Sequence, residues 1–249
     1  MIPYFSFSQI NLGIITIQVW GLMASAGFLA ALFLCLREGK RKGIGEESMW
    51  DIMTLSLIGI IAGSRIFYIL FNFERFNNLA DIFNIYKNGG FSLLGGIVVA
   101  IPLVYIYAKA KKINIYKLGD ALTPGIIISI IITRMGCFLV YDHIGKITNL
   151  PWARLYIDHS ARHPVALYYI INAVVILGII CYLKKRQLKD GILVLSITLY
   201  YSISRFFLEF TRCSDLDFCD SRFFDLTRNQ WFLLFAIPFL VYCLKRRMK

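Results

Sequence analysis

Arg65, Arg134 and Arg205 each sit inside a stretch of chain that is otherwise apolar. A guanidinium stays ionised at any physiological pH. Placed at the centre of a membrane span it costs about 2.5–3.5 kcal/mol on insertion scales, and less toward the interface. Around Arg205 the chain reads LYYSISRFFLEFTR, with Tyr201, Arg205 and Glu209 at successive steps of four and Arg212 three further on. On a helix this spacing lines the four up on one face. In ITRMGCFLVYDHIGK, Arg134 shares a face with Cys137, Phe138 and Tyr141. Two readings compete. Each arginine can anchor its own helix at headgroup level, with Arg205 and Glu209 as a self-neutralising pair. Alternatively the arginines serve one anionic ligand. Three of them at similar depth on separate segments favour the second reading. The guanidinium fork matches a phosphate bidentately, and phospholipid phosphates lie at this depth.

The elements that must hold these charges are membrane helices. The chain is 58% hydrophobic, with a mean hydropathy of +0.64, above what a soluble domain carries. Apolar runs recur throughout, many near the roughly 20 residues that span a bilayer. The net charge of +12 is concentrated in REGKRKG (37–43), KAKKINIYK (109–117), KKRQLK (184–189) and KRRMK (245–249), each directly after an apolar run. Such clustering speaks for the cytoplasmic face of a bilayer and its anionic headgroups, and against nucleic acid.

An all-α, polytopic fold of seven spans satisfies that constraint: 14–36, 49–71, 91–108, 118–140, 165–183, 191–210 and 231–244, the last short and open to an earlier start. The N-terminus is then outside and the C-terminus cytoplasmic. The expected organisation is a single membrane domain over 1–249, with longer outer loops at 72–90, 141–164 and 211–230. Nothing charged precedes Arg37, so the first span lacks the basic start of a cleavable signal peptide.

Weaker signals cluster near the expected outer ends. KNGGFSLLGGIVV (87–99) carries two glycine pairs, suited to close helix approach or to bare N–H groups near an anion. Pro164 makes a good helix start. His163 beside it is a lesser candidate for a base, and no spacing singles out His143 or His159. Cys35, Cys137, Cys181 and Cys243 read as packing residues, whereas Cys213 and Cys219 share a loop and could pair. No cysteine or histidine spacing fits a metal site, so no metal is expected.

Taken together, GSRIFYILF (63–71), GGFSLLGG (89–96), TRMGCFLVYDHIGK (133–146), RHPVALYY (162–169), SRFFLEFTR (204–212) and LTRNQW (226–231) resemble the prolipoprotein diacylglyceryl transferases in order and spacing, over nearly the whole chain. The resemblance implies a multi-pass enzyme of the bacterial cytoplasmic membrane. Its substrates would be phosphatidylglycerol and the lipobox cysteine of a preprolipoprotein, joined as a thioether with release of glycerol phosphate and without cofactor. By the same resemblance Arg134, Arg205, Glu209 and Tyr201 are the catalytic candidates. Arg134, Arg205, Arg65, Gly95, Gly96 and Gly145 are candidates for binding the lipid, with Asp142, Arg212, His163 and Cys137 as further site positions. The chain departs from the pattern in three places. Leu94 replaces the histidine of the HGG signature, Cys137 stands for an asparagine, and Trp20 for a tyrosine. The first leaves open which group serves as base, and leaves as the alternative a divergent binder of anionic phospholipid with another acceptor or no catalysis.

Overall fold

The computed structural model describes residues 1–13, 16–75, 90–216 and 219–249. The chain is helical, in the order α1 (Val19–Arg41), α2 (Glu46–Phe71), α3 (Leu93–Ala110), α4 (Ile115–Val140), α5 (Val165–Lys184), α6 (Ile192–Leu208) and α7 (Arg228–Met248). Six are long and apolar enough to cross a bilayer: α1 to α5, and α6 with its 3-10 extension to Thr211. The chain is thus a polytopic membrane protein. α7 has 21 residues but carries Arg228 at its start and Lys245, Arg246 and Arg247 in its last turn, which shortens its apolar stretch.

One expected boundary needs correction. The first span was expected from residue 14, but α1 begins at Val19. The residues before it form an antiparallel ribbon, β1 (Gln9–Asn11) with β2 (Thr16–Gln18), Ile10 facing Ile17. A short apolar run does not distinguish strand from helix. Two further ribbons, β3 (Arg154–Leu155) with β4 (Ala161–Arg162) and β5 (Arg222–Phe223) with β6 (Leu226–Thr227), lie in the loops. The expected loop at 72–90 falls largely outside the described residues.

The helices pack as two compact units, Met1–Cys35 with Gly119–Lys249, and Leu36–Leu118. The smaller unit is built on α2 against α3, and small residues set their distance. A Cβ on Gly63 would stand 2.5 Å from the Gly95 carbonyl oxygen, one on Gly96 2.6 Å from Ser64 Oγ, and one on Gly59 2.8 Å from Ala100 Cα. Backbones that approach this closely gain dispersion contacts that lipid cannot replace.

The larger unit has its apolar centre in Ile127, Ala173, Ile176, Ile180, Leu193 and Ile197, contributed by α4, α5 and α6. At one end Asp120 of α4 caps α6 by accepting from Gly191 N and Val194 N, both at 2.9 Å. At the other end α4 and α6 stop, α5 and α7 start, and the loops interlock. Gly145 pairs with Arg212 and Ile147 with Arg162 as isolated bridges. A Cβ on Gly145 would meet the His163 carbonyl oxygen at 2.3 Å, so only glycine fits that crossing.

Two buried arginines fasten this loop layer. Arg154 donates to the carbonyl oxygens of Phe138 and Phe5, both at 2.6 Å. Its guanidinium also lies 4.0–4.5 Å from the ring centres of Tyr141, Phe5 and Phe138, so an aromatic cage shields its charge. Arg162 grips Asp215 with both terminal nitrogens, at 3.2 and 2.8 Å, and donates to the Gly145 carbonyl at 3.1 Å. That grip holds the Asp215 carboxyl below its ordinary range. Asp215 sits in the small loop closed by the Cys213–Cys219 disulfide.

Candidate active site

The site is built around Glu209, whose side chain is 0% exposed. α6 ends at Leu208 and the chain turns into a 3-10 segment, Glu209–Thr211. This turn carries the carboxylate inward beneath the loop layer. Its Oε2 stands 3.2 Å from Arg205 Nη2, and its Oε1 3.8 Å from Arg212 Nε. It also accepts hydrogen bonds from Tyr169 Oη, Thr227 Oγ1 and Asn229 Nδ2, each at 3.4 Å. A buried carboxylate persists only with such company.

Thr227 and Gln230 form a capping box at the start of α7, and Gln230 Nε2 donates to the Phe206 carbonyl at 3.1 Å. The LTRNQW stretch therefore ties α7 to the end of α6 and feeds two donors to Glu209.

Tyr169, one turn into α5, joins the two central arginines. The Arg205 guanidinium lies 4.3 Å from its ring centre and that of Arg134 4.8 Å. Both are within cation–π range, worth about 2 kcal/mol when water is excluded. Tyr169 is 3% exposed. One aromatic ring thus fixes charges from α4 and α6 that would otherwise repel. Nothing in the sequence marked Tyr169 for this role. A tyrosine in an apolar span reads as packing, and its partners come from distant segments.

The charges do not cancel. Arg212 is satisfied by Glu209 and by Asp220 Oδ2 at 2.5 Å. Arg205 shares Glu209, and its buried Nη1 has no hydrogen-bond partner among the described residues. Arg134 lies against the Tyr169 face, with its Nη1 3.8 Å from the Cys137 sulfur. No carboxylate pairs with Arg134 among the described residues. The cluster carries excess positive charge with guanidinium edges left over, which is what an incoming anion needs.

The other expected site residues divide. Asp142 and His143 follow α4 directly, with Asp142 Oδ1 accepting from His143 N at 2.9 Å. Gly145 serves the loop crossing already described. His163 Nδ1 is 3.0 Å from Tyr168 Oη, which also accepts from Trp152 Nε1 at 3.0 Å. Burial, with Lys146 nearby, pushes the His163 imidazole below its usual pKa. Tyr201 stands one turn deeper than Arg205 and packs on the apolar cluster.

Arg65, Gly95 and Gly96 belong to the smaller unit. Arg65 Nη1 donates to the Gly90 carbonyl at 3.3 Å. Gly95 and Gly96 are buried where α3 meets α2. Leu94 beside them is 61% exposed.

The prolipoprotein diacylglyceryl transferase family model matches residues 8–245. The chain belongs to this family. Among its relatives is the phosphatidylglycerol–prolipoprotein diacylglyceryl transferase of Clostridioides difficile strain 630, 32% identical over 206 residues, 81% of each chain. Another is that of Clostridium kluyveri strain ATCC 8527, 32% identical over 216 residues, covering 83% of this chain and 84% of the relative. The Bacillus cytotoxicus enzyme is 31% identical over 227 residues, 86% of this chain and 84% of its own.

An apolar groove of about 400 Å³ runs between α5 and α6, lined among others by Tyr168, Ile171, Val175, Ser204 and Phe207. Tyr168 and Ser204 are chain neighbours of Tyr169 and Arg205.

Proposed function

We propose that the protein transfers the diacylglyceryl group of phosphatidylglycerol to the lipobox cysteine thiol of a preprolipoprotein, releasing glycerol phosphate. It does so in the cytoplasmic membrane of a bacterium. The observation that carries this reading is the pair Arg134 and Arg205, held against one tyrosine ring, with the buried Nη1 of Arg205 lacking a hydrogen-bond partner and no carboxylate paired with Arg134 among the described residues. The lipid phosphate is their proposed ligand. As the glycerol C–O bond breaks, charge grows on the departing phosphate, and fixed guanidinium groups stabilise that state more than the ground state. The groove between α5 and α6 suits an acyl chain of the donor. Glu209 and Tyr169 keep the arginines in place. Complementation of a cell lacking its own transferase, read as thioether modification of a lipoprotein, tests the reading. Unmodified lipoprotein despite membrane insertion would count against it.

The proposed topology has seven spans, with α7 as the last, the N-terminus outside and the C-terminus inside. Lys40 and Arg41, Lys109, Lys184 and Lys245 to Arg247 occupy the last turns of α1, α3, α5 and α7, whereas α2 and α4 end without a basic residue and the last turn of α6 holds Arg205, which is paired with Glu209. That alternation follows the positive-inside bias. Single reporter cysteines in the 141–164 and 211–230 loops, in a background without native cysteines, should react with an impermeant thiol reagent in intact cells. Labelling at position 112 or 185 instead would invert the topology.

The histidine missing at Leu94 should prove dispensable in this chain. Leu94→His should alter transfer to a lipobox peptide in phosphatidylglycerol vesicles by no more than about tenfold, or 1.4 kcal/mol. An inert native protein beside an active Leu94→His variant would show the imidazole to be indispensable.

A further inference from the structure

We propose that His143 accepts the proton of the lipobox thiol, in the role that the histidine missing at Leu94 leaves vacant. The proposal rests on the transferase reading above.

Of the histidines, His143 alone is placed for this. His159 lies exposed at the tip of the β3–β4 hairpin, and His163 is committed to Tyr168. His143 follows the end of α4 by three residues. Its side chain is 22% exposed, enough for a peptide thiol to reach. Tyr141 and His143 both take left-handed backbone conformations, with φ of 59° and 62°. This sharp turn folds the imidazole back over the helix end. One of its ring nitrogens lies within 4.8 Å of the Cys137 sulfur and of an Asp142 carboxylate oxygen. The Cys137 sulfur in turn lies 3.8 Å from Arg134 Nη1. The Cys137 sulfur thus ties the imidazole to the arginine proposed to hold the phosphate.

Asp142 Oδ2 stands 3.6 Å from His143 Nε2. A proton on Nε2 then faces the carboxylate, Nδ1 keeps the lone pair, and the imidazolium formed on proton transfer has a counter-ion. Burial, and then Arg134, Arg212 and Arg205, lower the imidazole pKa to about 4, against the pull of Asp142. Arg154 and His163 line the same small cavity. The ring is thus neutral across the physiological range. It is also a weak base until an anion arrives. A lipid phosphate on Arg134 and Arg205 cancels part of their field, which raises the basicity of His143 when the donor is in place.

The step then balances. The thiol proton passes to His143, the sulfur attacks the glycerol carbon, the S–C bond forms, and the C–O bond to phosphate breaks. Glycerol phosphate leaves with the electron pair, and His143 returns its proton to water.

The test uses the full-length protein in phosphatidylglycerol vesicles with two lipobox peptides, one ending in cysteine and one in selenocysteine. A selenol is ionised at neutral pH and needs no base. His143→Ala and His143→Gln should each lose about a hundredfold or more in kcat on the thiol peptide, the usual scale of a lost general base. The apparent KM for lipid should stay within about twofold. On the selenol peptide both variants should remain within about threefold of native, and added imidazole should restore part of the His143→Ala loss on the thiol. For the native protein, activity falls as His143 gains a proton at low pH, and this acid limb should lie higher in kcat than in kcat/KM. It should be absent from both variants. A variant close to native on the thiol, or an equal loss on both peptides, overturns the role of His143 while the transferase reading stands. No product from the native protein with either peptide removes both.

Discussion

Replacing Arg205 or Arg134 by alanine should lower diacylglyceryl transfer by at least about a thousandfold while the protein still inserts. Deleting one fixed donor from an oxyanion-type site costs about 10²–10³ in rate, and each guanidinium supplies a charge as well as a fork. Lysine should recover little at either position. Arg205 uses Nη2 on Glu209 and has Nη1 to spare for the lipid phosphate. A single ammonium cannot serve both. Arg134 lies against the Tyr169 ring with a planar group that lysine lacks. Steady-state rates in phosphatidylglycerol vesicles decide the matter. Near-native turnover in either lysine variant would reduce that residue to an interfacial anchor.

Glu209→Ala should be the most damaging change to stability among the site residues. It leaves the Arg205 and Arg212 guanidiniums without their shared carboxylate, and strips the Tyr169, Thr227 and Asn229 donors of their acceptor. Breaking a buried pair from one side costs about 3–5 kcal/mol. Glu209→Gln keeps the volume and one acceptor oxygen and should cost less. Thermal unfolding of the purified protein in detergent measures both. An unchanged midpoint for Glu209→Ala would mean that the carboxylate does not hold the ends of α6 and α7 together.

Much of this site was legible in the sequence, and the reason is local. Arg205, Glu209 and Arg212 follow helical spacing, and charge inside an apolar run is costly enough to stand out. Arg134 was visible for the same reason. Tyr201 has the same spacing, and its ring packs on the apolar cluster one turn before Arg205. Tyr169, Thr227 and Asn229 were hidden because their partner is far away in the chain. Nothing in the sequence singled out Arg154 or Arg162 as buried. Their burial depends on aromatic rings and carbonyls gathered from residues 5, 138, 141 and 145, which no periodicity reveals. The glycines were only half legible. Gly95 and Gly96 admitted either close packing or an anion nest, and the structure places them where α3 meets α2.

Arg134 and Arg205 meet around the Tyr169 ring, and a lipid phosphate is their proposed ligand. The full-length protein can be placed in phosphatidylglycerol vesicles with a lipobox peptide, and both products followed by mass spectrometry. A thioether-linked diacylglyceryl peptide and free glycerol phosphate should appear in equal amounts. Vesicles in which neither product rises above the protein-free control would contradict it.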